Sequence, residues 1–151
     1  VIEILETPGH TPACMSLYVN KSAVFVGDCI FMPDMGTGRC DFPKGSAEKL
    51  YDSIQKIYSL EDSCEIYVGH DYGPGGREIQ FKTTVGEQRE NNIQCRKATS
   101  RQEFLKFRTE RDSGLSAPRL LIPSIQYNMN GAKFVFHESS GKPYLKVPVT
   151  S

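Results

Sequence analysis

Three metal-competent side chains occupy matching places in this sequence. His10 lies in Thr7-Pro8-Gly9-His10-Thr11-Pro12, directly after an apolar run over residues 1–5. Asp28 lies in Gly27-Asp28, directly after the run Ala23-Val24-Phe25-Val26. His70 and Asp71 lie in Gly69-His70-Asp71-Tyr72, after Glu65-Ile66-Tyr67-Val68. A side chain on a stiff turn at a strand end is presented outward, so three such ends side by side make one polar site on the rim of a sheet. Imidazole and carboxylate are metal donors once a rigid frame makes them converge. Asp28 has two oxygens and is able to bridge two ions, while Asp71 is suited to orienting a ligand from outside. His10 and Asp28 also have plainer readings. His10 alone is a turn residue, and Asp28 a hairpin-end or helix-cap residue. The shared register of the three favours the ligand reading.

The elements that must hold them are legible in the pattern. Residues 1–5 read as a strand ending at Pro8-Gly9. Residues 16–19 and 23–30 read as an antiparallel hairpin through Asn20-Lys21-Ser22. Residues 32–45 form a long loop with two Pro and three Gly, a length that in compact domains often carries function. Residues 46–60 are the clearest helix, with Ser46 as cap and Ala47, Leu50, Tyr51, Ile54, Ile57 and Tyr58 on one apolar face. Residues 65–68 are the next strand, so helices layer on a sheet and the class is α/β. Thr84-x-x-Glu87 and Ser100-x-x-Glu103 are capping-box patterns that start two further helices. The second, over residues 101–112, has a thin stripe of Phe104, Leu105 and Phe107 and reads otherwise as a solvated face. From Ser113 onward the expectation is irregular structure with a strand pair at 134–136 and 144–147. His137 has no partner motif and reads as a surface residue.

Bulk properties narrow the function classes. At 151 residues the chain is expected to form one domain, with 38% hydrophobic and 24% charged residues typical of globular protein. A net charge of +0 gives no reason to expect nucleic acid or an anionic membrane as partner. No apolar stretch approaches the roughly 20 residues that span a bilayer, and no signal-peptide pattern is visible. The five cysteines, Cys14, Cys29, Cys40, Cys64 and Cys95, are odd in number and never in Cys-x-x-Cys. That argues against a disulfide framework and a zinc ribbon, and for a reducing, cytoplasmic setting. Cys29 and Cys64 read as small buried residues.

The motifs together resemble the second half of the metallo-β-lactamase superfamily, with persulfide dioxygenases and glyoxalase II hydrolases as the nearest branches. The resemblance rests on Thr7-Pro8-Gly9-His10-Thr11, Gly27-Asp28 and Gly69-His70-Asp71-Tyr72. It extends to the loop Gly36-Thr37-Gly38-Arg39-Cys40-Asp41-Phe42 and to Thr83-Thr84-Val85-Gly86-Glu87-Gln88-Arg89. It runs over residues 1–92 and is weaker beyond. The fold it implies is the C-terminal part of an αββα sandwich. The superfamily's His-x-His-x-Asp-His motif is absent, because this chain has only three histidines. The start at Val1, within a strand, leads to the expectation of a piece truncated at its N-terminus and inactive alone, with an apolar sheet face left uncovered.

By resemblance, His10 and Asp28 match two of three protein ligands of one iron(II), and His70 matches a position used in the two-metal hydrolases. The implied activity is O2-dependent oxidation of glutathione persulfide to sulfite, with Fe(II) as cofactor and Zn(II) as alternative. Arg39 matches a basic position near glutathione, although it is equally suited to a salt bridge with Asp41. Tyr72 stands where it is able to hydrogen-bond substrate or oxygen, and Asp71 is a candidate catalytic group beside it. Two other functions stay open: a two-metal thioester hydrolase that also uses His70, and an inactive half-domain acting as an interaction module. A homodimer is also compatible with the sequence.

Overall fold

The structure, a computed structural model, describes residues 1–134, 136 and 139–145. It divides into two compact units, Val1–Gly114 and Leu115–Ser151.

The first unit is a five-stranded mixed sheet with helices on one face. Its strands are β1 (Ile2–Glu6), β2 (Met15–Val19), β3 (Ala23–Phe25), β4 (Glu65–Tyr67) and β5 (Lys82–Thr84), side by side in chain order. β1–β2, β2–β3 and β4–β5 are antiparallel, and β3–β4 is parallel. The parallel pair requires a crossover, which helix α1 (Ala47–Tyr58) supplies. The β2–β3 hairpin turns through Asn20 and Lys21, both with positive φ, as a tight turn with right-handed strand twist demands. β3 ends at Phe25, short of the expected residue 30, because Gly27 takes φ +52° and turns the chain out of the sheet. β5 has no apolar alternation and is set by pairing with β4 alone.

Alternation along the strands sends Val24 and Ile66 to the helical face, where they are fully buried with Leu50, Ile54 and Ile57 of α1. Ser46 caps α1 as expected, its hydroxyl accepting the Lys49 N–H. Helix α2 (Val85–Asn91) starts from Thr84, whose hydroxyl accepts the Glu87 N–H at 3.2 Å. The Glu87 carboxylate accepts from Thr83 instead of closing the box. Helix α3 (Arg101–Ser113) starts with a complete capping box on Ser100 and Glu103. It packs Phe104 against the core. All five cysteines are free thiols, and Cys29 and Cys64 are buried.

The other sheet face is apolar and open to solvent. Ile2, Ile4, Met15, Leu17 and Phe25 lie on it, with Ile4 65% and Phe25 47% exposed. This is the uncovered face that the half-sandwich expectation requires.

The second unit contains helix α4 (Leu121–Met129), a correction to the irregular structure expected after Ser113. Pro123 obscures it in sequence, yet it lies in the first turn, where a proline's missing N–H breaks no helical bond. Phe136 and Pro143 form an isolated antiparallel bridge. His137 and the end of the expected strand pair lie outside the described residues.

Candidate metal centre

The turn bearing His10 is built onto α1. Gly9 takes φ +147° and lies against the α1 backbone, where an added Cβ would stand 2.4 Å from the Leu50 nitrogen. The Gly9 carbonyl accepts the Ser46 N–H at 2.8 Å, and the Pro8 carbonyl accepts the Ser53 hydroxyl at 2.7 Å. Residues 7–10 therefore have little freedom, and the imidazole leaves the turn in a fixed direction.

His10 Nδ1 lies 2.7 Å from the Arg39 carbonyl. A carbonyl only accepts, so Nδ1 carries the proton and Nε2 is the ring atom left for other work. Nε2 faces Asp28 Oδ2 at 3.3 Å. Asp28 Oδ1 faces His70 Nδ1 at 3.4 Å, so the carboxylate stands between the two imidazoles. His70 Nε2 is bonded to the Tyr72 hydroxyl at 2.7 Å. The Asp28 carboxyl is held below the usual range, chiefly by its hydrogen bond to His10. His10 is held above its ordinary value, chiefly by Asp28 and against the opposing effect of burial. Phe42 meets the His10 ring edge-on at 5.1 Å, and Phe31 lies 5.0 Å from the His70 ring.

Two glycines let the backbone close around Asp28. A Cβ on Gly38 would stand 2.0 Å from the Asp28 carbonyl oxygen and 3.2 Å from His10 Nδ1. A Cβ on Gly69 would stand 3.2 Å from Asp28 Oδ1.

The other candidates face elsewhere. The Asp71 side chain is inaccessible to solvent and paired with Arg77. It also accepts the Tyr72 and Gln80 N–H groups, and Arg77 reaches on to both oxygens of Asp34. Asp71 thus braces the turn beyond His70 and holds it to the loop at Asp34. The Arg39 guanidinium is paired with Asp41, the salt-bridge alternative, and stacks near Phe42. It is the Arg39 carbonyl that touches His10.

The donor chemistry fits a metal ion at His10 and Asp28. Two donors bound about 2.1 Å from one ion at near right angles stand about 3 Å apart. An imidazole whose second nitrogen is fixed by a carbonyl is the usual form of a metal-bound histidine. Among the described residues, no three His, Cys, Asp or Glu side chains close around one point as a complete ligand set. No helix among the described residues is long and apolar enough to cross a membrane.

The polar frame behind this site was missed in the sequence. Asn92 donates to the Gly36 carbonyl, Gln88 to the Phe31 carbonyl and Gln94 to the Met35 carbonyl. Arg108 and Asp112 of α3 are also buried, 1% and 7% exposed, which corrects the reading of the charged residues of 101–112 as a solvated face. Their i, i+4 spacing is visible in sequence, but their neighbours Lys106, Glu110 and Arg111 are exposed and mask it.

No protein-family model matches the chain. It is 49% identical over 148 residues to a protein named Glyoxylase B2 from Dictyostelium discoideum, covering 98% of this chain and 51% of that protein. It is 40% identical over 107 residues to the mitochondrial persulfide dioxygenase ETHE1 of Bos taurus, covering 70% of this chain and 39% of that one. The crystal structure of ETHE1 from Myxococcus xanthus matches with a TM-score of 0.73 at 31% identity, covering 87% of this chain and 54% of that one. The chain belongs to the metallo-β-lactamase superfamily, and its relatives include glyoxalase-like and ETHE1-like proteins. The alignment with Glyoxylase B2 spans about half of that protein's length.

Proposed function

We propose that this chain carries the His10–Asp28 part of a one-iron site that oxidises glutathione persulfide. The observation that carries this reading is the engagement of His70. Its Nε2 is held by the Tyr72 hydroxyl at 2.7 Å, whereas His10 has its other nitrogen fixed by a main-chain carbonyl as metal-bound histidines commonly do, which supports His10 Nε2 as the ring nitrogen for a single ion. Two histidines and one carboxylate on one face, with open positions opposite, is the ligand set of iron(II) oxygenases. Here His10 and Asp28 would supply one of each. Iron(II) held there supplies a binding place for the persulfide sulfur and O2.

The chain's own residues then have distinct tasks. Asp28, kept ionised, balances the charge of the ion. The Arg39 carbonyl holds the His10 ring in the tautomer that frees Nε2. Tyr72, 58% exposed at the mouth of the site, offers its hydroxyl to an incoming polar group. The Arg39 guanidinium, paired with Asp41 in this structure, would take a carboxylate of the tripeptide by exchanging it for Asp41. In the net reaction the outer sulfur is oxidised. O2 and one water supply the three sulfite oxygens, two protons are released, and the inner sulfur leaves as the glutathione thiol.

A second reading has its own observation. Asp28 offers one oxygen to each histidine, the disposition of a carboxylate that bridges two ions, such as zinc, in a thioester hydrolase. The natural polypeptide containing this sequence separates the two. The dioxygenase reading expects one iron per chain, O2 uptake with glutathione persulfide, and both retained in His70→Ala. Two metals per chain, thioester cleavage and loss of both in His70→Ala would replace it with the hydrolase.

A further inference from the structure

We propose that Arg108 and Asp112 on α3 are positioning residues for His10, acting through the loop at Gly38 and Arg39. The inference rests on the reading of His10 as a metal ligand.

A buried ion pair on a helix whose only other buried side chain is Phe104 needs a reason. Taking two charges out of water costs several kcal/mol per ion, and apolar residues of similar size often serve stability as well. The partners of this pair supply the reason. Asp112 Oδ2 accepts the Cys40 N–H at 2.8 Å. Arg108 Nη1 donates to Gln94 Oε1 at 2.9 Å and approaches the Thr37 carbonyl and hydroxyl at 3.4 Å. Gln94 Oε1 in turn accepts the Thr37 N–H at 3.0 Å. Arg108 and Asp112 also bond to each other. The pair therefore grips the loop at Thr37 and at Cys40. Between those grips lie only Gly38 and Arg39. Gly38 presses on the Asp28 carbonyl, and the Arg39 carbonyl receives the His10 Nδ1 proton.

A carbonyl gripped on both sides along the chain has a fixed position, and a fixed carbonyl selects one imidazole tautomer and one ring plane. Outer partners of a metal-bound histidine typically change metal affinity about 10- to 100-fold when lost. Here the outer partner is a main-chain carbonyl that no substitution removes. The side chains that aim it are where such an effect becomes accessible to mutation.

The test uses the natural polypeptide containing this sequence and the paired change Arg108→Met with Asp112→Leu, which removes both buried charges and leaves apolar bulk. Arg108→Lys is the second variant, keeping the charge but losing the fork that spans Gln94 and Asp112. Two quantities are read. One is the nitrogen-15 shifts of the His10 ring in metal-free protein, at a pH where the imidazole is neutral. The other is iron(II) affinity by competition with a chelator. The expectation for the wild type is a single tautomer protonated on Nδ1. The expectation for either folded variant is a mixture of tautomers and an affinity about tenfold weaker. Rescue belongs to Asp112→Glu, which keeps a carboxylate for the Cys40 N–H and should retain most of the wild-type tautomer. A His10 ring unchanged in a folded variant would overturn the proposal. A mixed tautomer with unchanged iron affinity would keep the positioning role and remove His10 from the ligand set.

Discussion

Single atoms decide whether the site can form. Gly38 has no room for a methyl group, since a Cβ there would meet the Asp28 carbonyl oxygen at 2.0 Å. Gly38→Ala must push the loop away from Asp28 and carry the Arg39 carbonyl with it. Overpacking of this kind costs about 1–3 kcal/mol. The expected outcome is a lower Tm together with weaker metal uptake, read by thermal unfolding and metal analysis of the purified variant. Arg39 divides differently. Its carbonyl serves His10 and survives Arg39→Ala, whereas its guanidinium is lost. Steady-state kinetics should therefore show KM for the glutathione-based substrate rising more than kcat falls. An unchanged KM would remove the side chain from substrate binding. His10, Asp28 and His70 were legible in sequence because each follows a strand at a glycine-bearing turn, and the structure brings the three together. Asp71 was legible as a neighbour of the site but not as a brace, because its partner Arg77 lies across a turn rich in glycine whose path no local pattern fixes.

Elements hold these atoms in place, and α1 matters most because the His10 turn is built on it. Ile54 is fully buried at the centre of its apolar face. Ile54→Ala removes that packing and leaves a cavity, a change that costs about 2–5 kcal/mol. Denaturant unfolding should register the loss, with the midpoint moving while the slope stays the same. The α1 helix was readable because its apolar spacing is strong and its cap is explicit. β5 was not, because Lys82-Thr83-Thr84 carries no alternation and gains its strand character from β4. The α3 helix was half readable. Its capping box and thin apolar stripe announced a helix, read as lying at the surface, while the exposed charges around Arg108 and Asp112 hid that those two turn inward. Buried polar groups of this kind take their meaning from residues distant in sequence, so a local reading assigns them to solvent.

At the scale of the whole chain, the half-sandwich has one finished face and one open face. Val24, Ile66 and the helices close the first, while Ile4, Leu17 and Phe25 leave the second apolar. Exposed apolar area of this extent favours nonspecific association. For the polypeptide of residues 1–151 expressed alone, Ile4→Lys with Phe25→Lys should raise the soluble yield and the monomer fraction. Light scattering across a concentration series checks this, and unchanged association in the double variant would place the sticky surface elsewhere. The grip of α3 on the loop has a consequence in time. Cys40 and its acceptor Asp112 are 72 positions apart in the chain. A growing polypeptide emerges N-terminus first and folds as its parts become available. His10, Asp28 and His70 therefore leave the ribosome well before the residue that secures the loop between them. A nascent chain, or one ended by a premature stop before α3, possesses these candidate ligands and the His10 turn set on α1, but lacks the grip on Cys40 that fixes the loop carrying the Arg39 carbonyl, and should hold a metal ion more weakly than the finished unit.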